Sequence, residues 1–168
     1  MKRRNFIKNS AVMAAIPLRD MLDRFAAGRP AISPRPGFSL KILNTNWGFA
    51  GSSEAFFYRT KEAGYDGVEL WTPQQDSDRD SLLEHSGKHQ LEFGLLCGAG
   101  DTDFKRHLAQ FESSLHKAIS LKPLYINCHS GRDWFSFEQN LQFIDLTLKL
   151  TADSGIPIYH ETHRGRML

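Results

Sequence analysis

EFGLLCGAGDTDFKRHLAQFESSLHKAISLKPLYINCH, residues 92–129, reads as strand, helix, strand, and that reading decides the fold. EFGLLC (92–97) is a short apolar run. Phe104, Leu108, Phe111, Leu115 and Ile119 then recur at four- and three-residue spacing through 103–121, one apolar stripe of an amphipathic helix. PLYINCH (123–129) is apolar again. A strand, a helix and a second strand joined this way form a right-handed crossover between parallel neighbours.

The same unit repeats on both sides. Upstream, SLKILNTN (39–46) predicts a first strand and DGVELW (66–71) a second. Between them SSEAFFYRTKEAG (52–64) predicts a helix capped by Ser52 or Ser53 and stopped by Gly64. Residues 78–90 predict a polar helix anchored by Leu82 and Leu83. Downstream, 136–155 predicts a helix with a Ser136/Gln139 capping box and a Gly155 stop, before a fifth strand, IPIYHE (156–161). The expected class is α/β, with about five parallel strands and four main helices. Two architectures satisfy it: an open doubly wound sheet, or a partial (β/α)8 TIM barrel running to its fifth strand. A dinucleotide fold calls for GxGxxG after the first strand, whereas NTNWGFAGSS (44–53) stands there. CGAGD (97–101) supplies only half of that fingerprint, after the third strand.

Length and charge narrow the function. A chain of 168 residues suits one domain. Residues 1–27 hold six Lys/Arg against two Asp/Glu, and the body holds fifteen against seventeen. The body has no basic excess for a nucleic-acid backbone, so no nucleic-acid partner is expected. Cys97 and Cys128 sit in apolar runs and read as buried thiols, a disulfide requiring those runs to end side by side.

The N-terminus is a separate segment. Lys2, Arg3, Arg4 and Lys8 precede a modest apolar stretch, Ala11–Leu18, in the layout of an export signal, with Phe25-Ala26-Ala27-Gly28 as a small-residue processing region. The stretch is shorter than the ~20 residues of a bilayer span, so no stable membrane insertion is expected. RRNFIK resembles a twin-arginine signal, which implies a periplasmic or otherwise exported protein; a basic amphipathic helix is the competing reading. Residues 28–37, rich in Pro and Gly, read as a linker, and 38–168 as the folded body.

Polar residues gather at the strand exits, where sites lie in both architectures: Asn44 and Asn46, Glu69 and Trp71, Asn127 and His129, Glu161 and His163. Alternation puts Glu69 with Trp71 on one face, Asn127 with His129, and Tyr159 with Glu161 and His163, while His160 points toward the helices. A carboxylate inside a sheet is costly unless paired or metal-bound, so Glu161 reads as a metal ligand and proton-transfer group, or as a solvated sheet end. His129 reads as a ligand, an acid–base group or a hydroxyl partner. Glu69 reads as a second carboxylate near substrate or as a salt bridge to Lys41 or Arg132. Arg132, Arg164 and Arg166 suit an oxyanion or plain solvation. Trp47, Trp71 and Trp134 suit the apolar face of a sugar or a roof over the core.

YDGVELW (65–71), YINCHSGRD (125–133) and IYHETHRGR (158–166) resemble the sugar phosphate isomerase/epimerase family, the xylose isomerase-like TIM barrels, over roughly residues 38–168. The resemblance implies a metal-dependent isomerase or epimerase that moves a proton on a sugar or sugar phosphate through an enediolate. It implies one divalent ion (Mn, Mg, Co or Zn) on Glu161, which also exchanges the substrate proton, with His129 at a substrate-side position and Glu69 at the polar exit of the second strand. Taken with the strand-exit reading, Glu161 and His129 are the expected catalytic residues, and Glu69, Trp71, Asn127, His163 and Arg164 the expected substrate-binding ones. Related members are metal-dependent phosphoester hydrolases, and a non-catalytic sugar-binding or structural fragment is the third reading. The family draws three further ligands from strands beyond the fifth, and no residues here correspond to them. The expectation is therefore an N-terminal part of the barrel, with no appreciable turnover of its own and with self-association through an open sheet edge.

Overall fold

The computed structural model of the protein describes Gly37 and residues 39–167. The chain divides into two compact units, Met1–Leu40 and Lys41–Leu168, and of the first only Gly37, Ser39 and Leu40 are described. The expected export signal and nearly all of the expected linker lie outside the described residues.

Strands and helices alternate: β1 (Leu43–Thr45), α1 (Ser53–Glu62), β2 (Gly67–Trp71), α2 (Asp76–His89), β3 (Glu92–Gly98), α3 (Phe104–Ser120), β4 (Ile126–His129), α4 (Phe137–Ser154) and β5 (Ile158–His160). All neighbouring strands are parallel, in the order β1-β2-β3-β4-β5. A doubly wound sheet reverses its strand order at a switch point, whereas a barrel adds each strand beside the last. The observed order is that of a barrel arc. Among the described residues no helix is long and apolar enough to cross a membrane.

Local chemistry explains the boundaries. Ser52 caps α1 by accepting from the Ala55 N–H, and Asp103 caps α3 by accepting from Arg106. Ser136 and Gln139 form the expected reciprocal box at α4, and Gly155 ends that helix at φ 71°. α2 starts two residues before its expected position. Gln75 offers no side-chain cap there, and Asp76 and Asp78 instead meet the positive end of the helix. β1 is shorter than expected, because the chain before it is held by Asp66, whose carboxylate accepts from the Ile42 N–H.

The helices cover one face of the sheet. Leu70, Leu95, Ile126 and Ile158 stand side by side in register and meet the core with Phe57, Phe111, Leu115 and Phe143. Phe111 and Leu115 from the α3 stripe are wholly buried, each worth about 1.5–3 kcal/mol. Leu82 anchors α2 at 3% exposure, but Leu83 is 43% exposed, so the expected double anchor is corrected to one. Successive helix positions differ by about 100°, and the core takes Ser86 one turn further along. Cys97 and Cys128 do end side by side, in register across β3 and β4, and both are free, buried thiols.

Candidate active site

The site occupies the sheet face turned away from the helices. Its row on the register is Trp71, Leu96, Asn127, Tyr159, with Glu69 and Gly94 one step before it and Gly98 and His129 one step after. Side chains alternate along each strand, so these residues share a face by backbone geometry.

Glu161 follows β5 and is held in the sheet by its N–H, which donates to the Cys128 carbonyl. One carboxylate oxygen, Oε2, accepts from Asn127 Nδ2 at 2.9 Å and lies 3.1 Å from His129 Nε2. An ionised carboxylate only accepts, so His129 carries its proton on Nε2. The other oxygen, Oε1, has no hydrogen-bond partner among the described residues, and the side chain is 39% exposed. The result is a carboxylate with one oxygen pinned and the other free.

Three rings complete this level. His129 is buried between Trp71, edge-on at 5.2 Å between centroids, and His163, stacked at 4.8 Å. A methyl on Gly98 would sit at ordinary contact distance, 3.4 Å from the His129 carbonyl oxygen and 3.6 Å from the Trp71 ring, so β3 passes close beneath both rings. Trp71 also lines a cleft of about 380 Å³ with Asn46, Gln74 and Asp78.

The level below is a second bridge across β3. Tyr125 donates its hydroxyl to Glu69 Oε2 at 2.6 Å, passing over Gly94. Burial, followed by the Glu69 bond, pushes the phenol well above its ordinary range, so it stays a donor. The alternative partners expected for Glu69 are corrected. Lys41 pairs with Glu92, and Arg132 bonds the Gly100 carbonyl. Tyr125 was absent from the expected site, although it shares its strand parity with Asn127 and His129.

The sequence-predicted residues therefore divide. Glu161, His129, Asn127, Trp71 and His163 are together, and Glu69 stands beneath them. Arg164 is exposed and its side chain makes no hydrogen bond among the described residues. Asn44 bonds Thr60 of α1, under the helix layer. Trp47 and Trp134 are both more than half exposed and do not roof the core. His160 points toward the helices as expected, between Ser130 and Thr147, and burial holds its pKa low. Cys97 and Cys128 are pushed up by burial, which removes thiolate character.

Glu161 Oε1 can hold one position on a hard cation. Among the described residues no group of three His, Cys, Asp or Glu side chains is arranged to hold a metal ion. Mg²⁺ is commonly held through one or two carboxylates with water completing its six ligands, and Glu161 offers one such donor here.

Among solved structures, the chain resembles the apo form of the 3-keto-D-glucoside 4-epimerase YcjR from E. coli, with a TM-score of 0.59 at 18% identity. The likeness covers 77% of this chain and 59% of that one, so the chain spans about three-fifths of the length of that structure. At this identity the likeness establishes the fold. No protein-family model and no curated protein matches the sequence.

Proposed function

We propose that this site transfers a proton at a carbon next to the carbonyl of a sugar, as an isomerase or epimerase does. The observation that carries the reading is Glu161, with Oε2 fixed by Asn127 and His129 and Oε1 free at the exit of a parallel strand. In this reading Oε1 takes the proton from the α-carbon. The C–H electron pair becomes the enediolate double bond, and the carbonyl oxygen takes up the negative charge. Return of a proton to that carbon on the opposite face completes an epimerisation; return to the former carbonyl carbon, with the neighbouring hydroxyl proton passing to the oxyanion, completes an isomerisation. Asn127 and the His129 N–H aim the carboxylate, and Trp71 offers an apolar wall to a sugar ring.

The structural neighbour supports the same chemistry by its name. In a 3-keto-glucoside the C4 hydrogen is α to a carbonyl, and inverting C4 needs that proton removed and restored. Where a divalent ion is bound, Glu161 would be one of its ligands, and the ion would supply charge stabilisation to the developing oxyanion.

The test is deuterium exchange. The purified chain, at high concentration in D2O with a 3-keto-D-glucoside, is followed by proton NMR at the α position. Exchange needs only a bound sugar and a base, whereas net turnover also needs the proton returned on a chosen face. Exchange is expected with the native chain and falls about 100-fold or more in Glu161→Gln. A folded native chain that exchanges no faster than buffer sinks the proposal.

A further inference from the structure

Two arginines converge on the rim of the sheet beside this site without an acid to receive them. Arg132, in the loop after β4, donates Nη2 to the Gly100 carbonyl at 3.0 Å. Arg166, beyond β5, donates Nη1 to the adjacent Ala99 carbonyl at 2.9 Å. Consecutive carbonyls of one loop thus draw two guanidinium groups together. They are close enough that Arg132 disfavours the charge on Arg166, alongside burial.

One contact partly offsets that crowding: the Arg132 guanidinium lies over the Trp134 ring, 5.1 Å from its centroid. Neither arginine forms an ion pair among the described residues. The acid nearest in sequence to the two carbonyls, Asp101, is engaged by Arg106. A guanidinium carries five N–H donors, and each of these uses one in the described structure. Arg132 Nε is buried with no partner at all. A buried donor of a charged group left without a hydrogen-bond partner is costly. The cluster also reaches a third group. His107, wholly buried on α3, feels both arginines and leaves its Nε2 unpartnered.

Position ties the pair to the proposed reaction. The Arg166 N–H donates to the His163 carbonyl, and the His163 ring stacks on His129, which holds Glu161. The next residue, Met167, donates its N–H to the Ser130 carbonyl, so the Arg166 loop is fastened to the β4 exit.

We propose that Arg132 and Arg166 bind an oxyanion group, the phosphate or carboxylate of an acidic sugar, at the strand-exit rim. The inference rests on the sugar proton-transfer reading for its substrate class, and on the arginine geometry for its site. An oxyanion accepts the remaining N–H donors, including bidentate pairs, and relieves the like-charge contact.

The experiment is calorimetric titration of the purified full chain with inorganic phosphate, D-glucuronate, D-glucose 6-phosphate and D-glucose. Phosphate is expected to bind, and each charged sugar to bind about tenfold or more tighter than glucose. A 6-phosphate preference assigns a phosphate subsite, and a glucuronate preference a carboxylate subsite. Arg132→Gln and Arg166→Gln each weaken phosphate binding about tenfold or more, and Arg166→Lys recovers part of it because charge without the planar fork remains. Phenylglyoxal labelling of the native chain, mapped by mass spectrometry, guards against a variant that does not fold. Phosphate should shield Arg132 and Arg166 and leave the exposed Arg59 and Arg164 reactive. Equal affinity for charged and neutral sugars, or no shielding, overturns the proposal. Glu161→Gln should keep phosphate binding, so an anion site without proton exchange leaves this inference standing while the proton-transfer reading falls.

Discussion

Replacing Gly94 with alanine tests the cross-strand bridge beneath the site. A methyl built on Gly94 would lie 2.7 Å from Tyr125 Cζ and 3.0 Å from both Cε atoms, well inside carbon contact distance. The ring cannot yield without loss, because its hydroxyl is 2.6 Å from Glu69 Oε2 and its centroid packs 6.0 Å from Tyr159. Overpacking of this kind costs about 1–3 kcal/mol. Loosening a half-buried hydrogen bond to a carboxylate adds about 1 kcal/mol, taken below the usual range for solvent screening. Gly94→Ala should therefore destabilise the chain by about 2–4 kcal/mol, read as a lower urea midpoint at unchanged slope. The decisive arm is the Tyr125→Ala background, where the obstructing ring is gone. There the same glycine substitution should cost less than about 1 kcal/mol, leaving a coupling of 1–3 kcal/mol between the two positions. Equal costs in the two backgrounds, or a single variant within about 0.5 kcal/mol of native, would refute the steric argument.

Other expectations follow from the same geometry. Leu82→Ala should cost about 2–3 kcal/mol and Leu83→Ala less than about 0.5, measured by urea unfolding, since only the first faces the core. Phe111→Ala, emptying a wholly buried ring site, should cost about 3–5 kcal/mol in the same assay. His107 and His160 are both held below the ordinary value of 6.5 by burial, with the two arginines adding to the effect on His107. Their neutral forms are favoured in the folded chain, so the unfolded chain binds more protons once pH drops below about 6.5. Stability should be full above that pH and fall as pH is lowered toward 5, and a His160→Gln variant should show a shallower fall in melting temperature over that window.

Much of the site was legible in the strands because parity is local. Asn127 and His129 are two residues apart, so they share a face whatever the tertiary fold. Glu161 and His163 are also two apart, and here they meet the same ring. Tyr125 obeys the same parity and could have been found by it. Arg164 could not be separated from Arg166 by any spacing, because β5 ends at His160 and the turn that follows sets each side chain by its own dihedrals. Leu83 failed for a similar reason: two adjacent leucines in a polar helix carry no internal sign of which one faces the sheet.

The amino-acid sequence by itself determined the alternation of strands and helices, the caps at Ser52, Ser136 and Gly155, and the buried stripe of α3. Each of these is set within one element, by periodicity and by backbone groups that need partners nearby. Tertiary structure alone decided that the strands add in sequential order and that the free thiols stand side by side. It also decided that Tyr125 reaches Glu69 over Gly94, and that Arg132 and Arg166 meet on neighbouring carbonyls. Those contacts join residues tens of positions apart, and strand order and register, which bring them together, are properties of the assembled sheet.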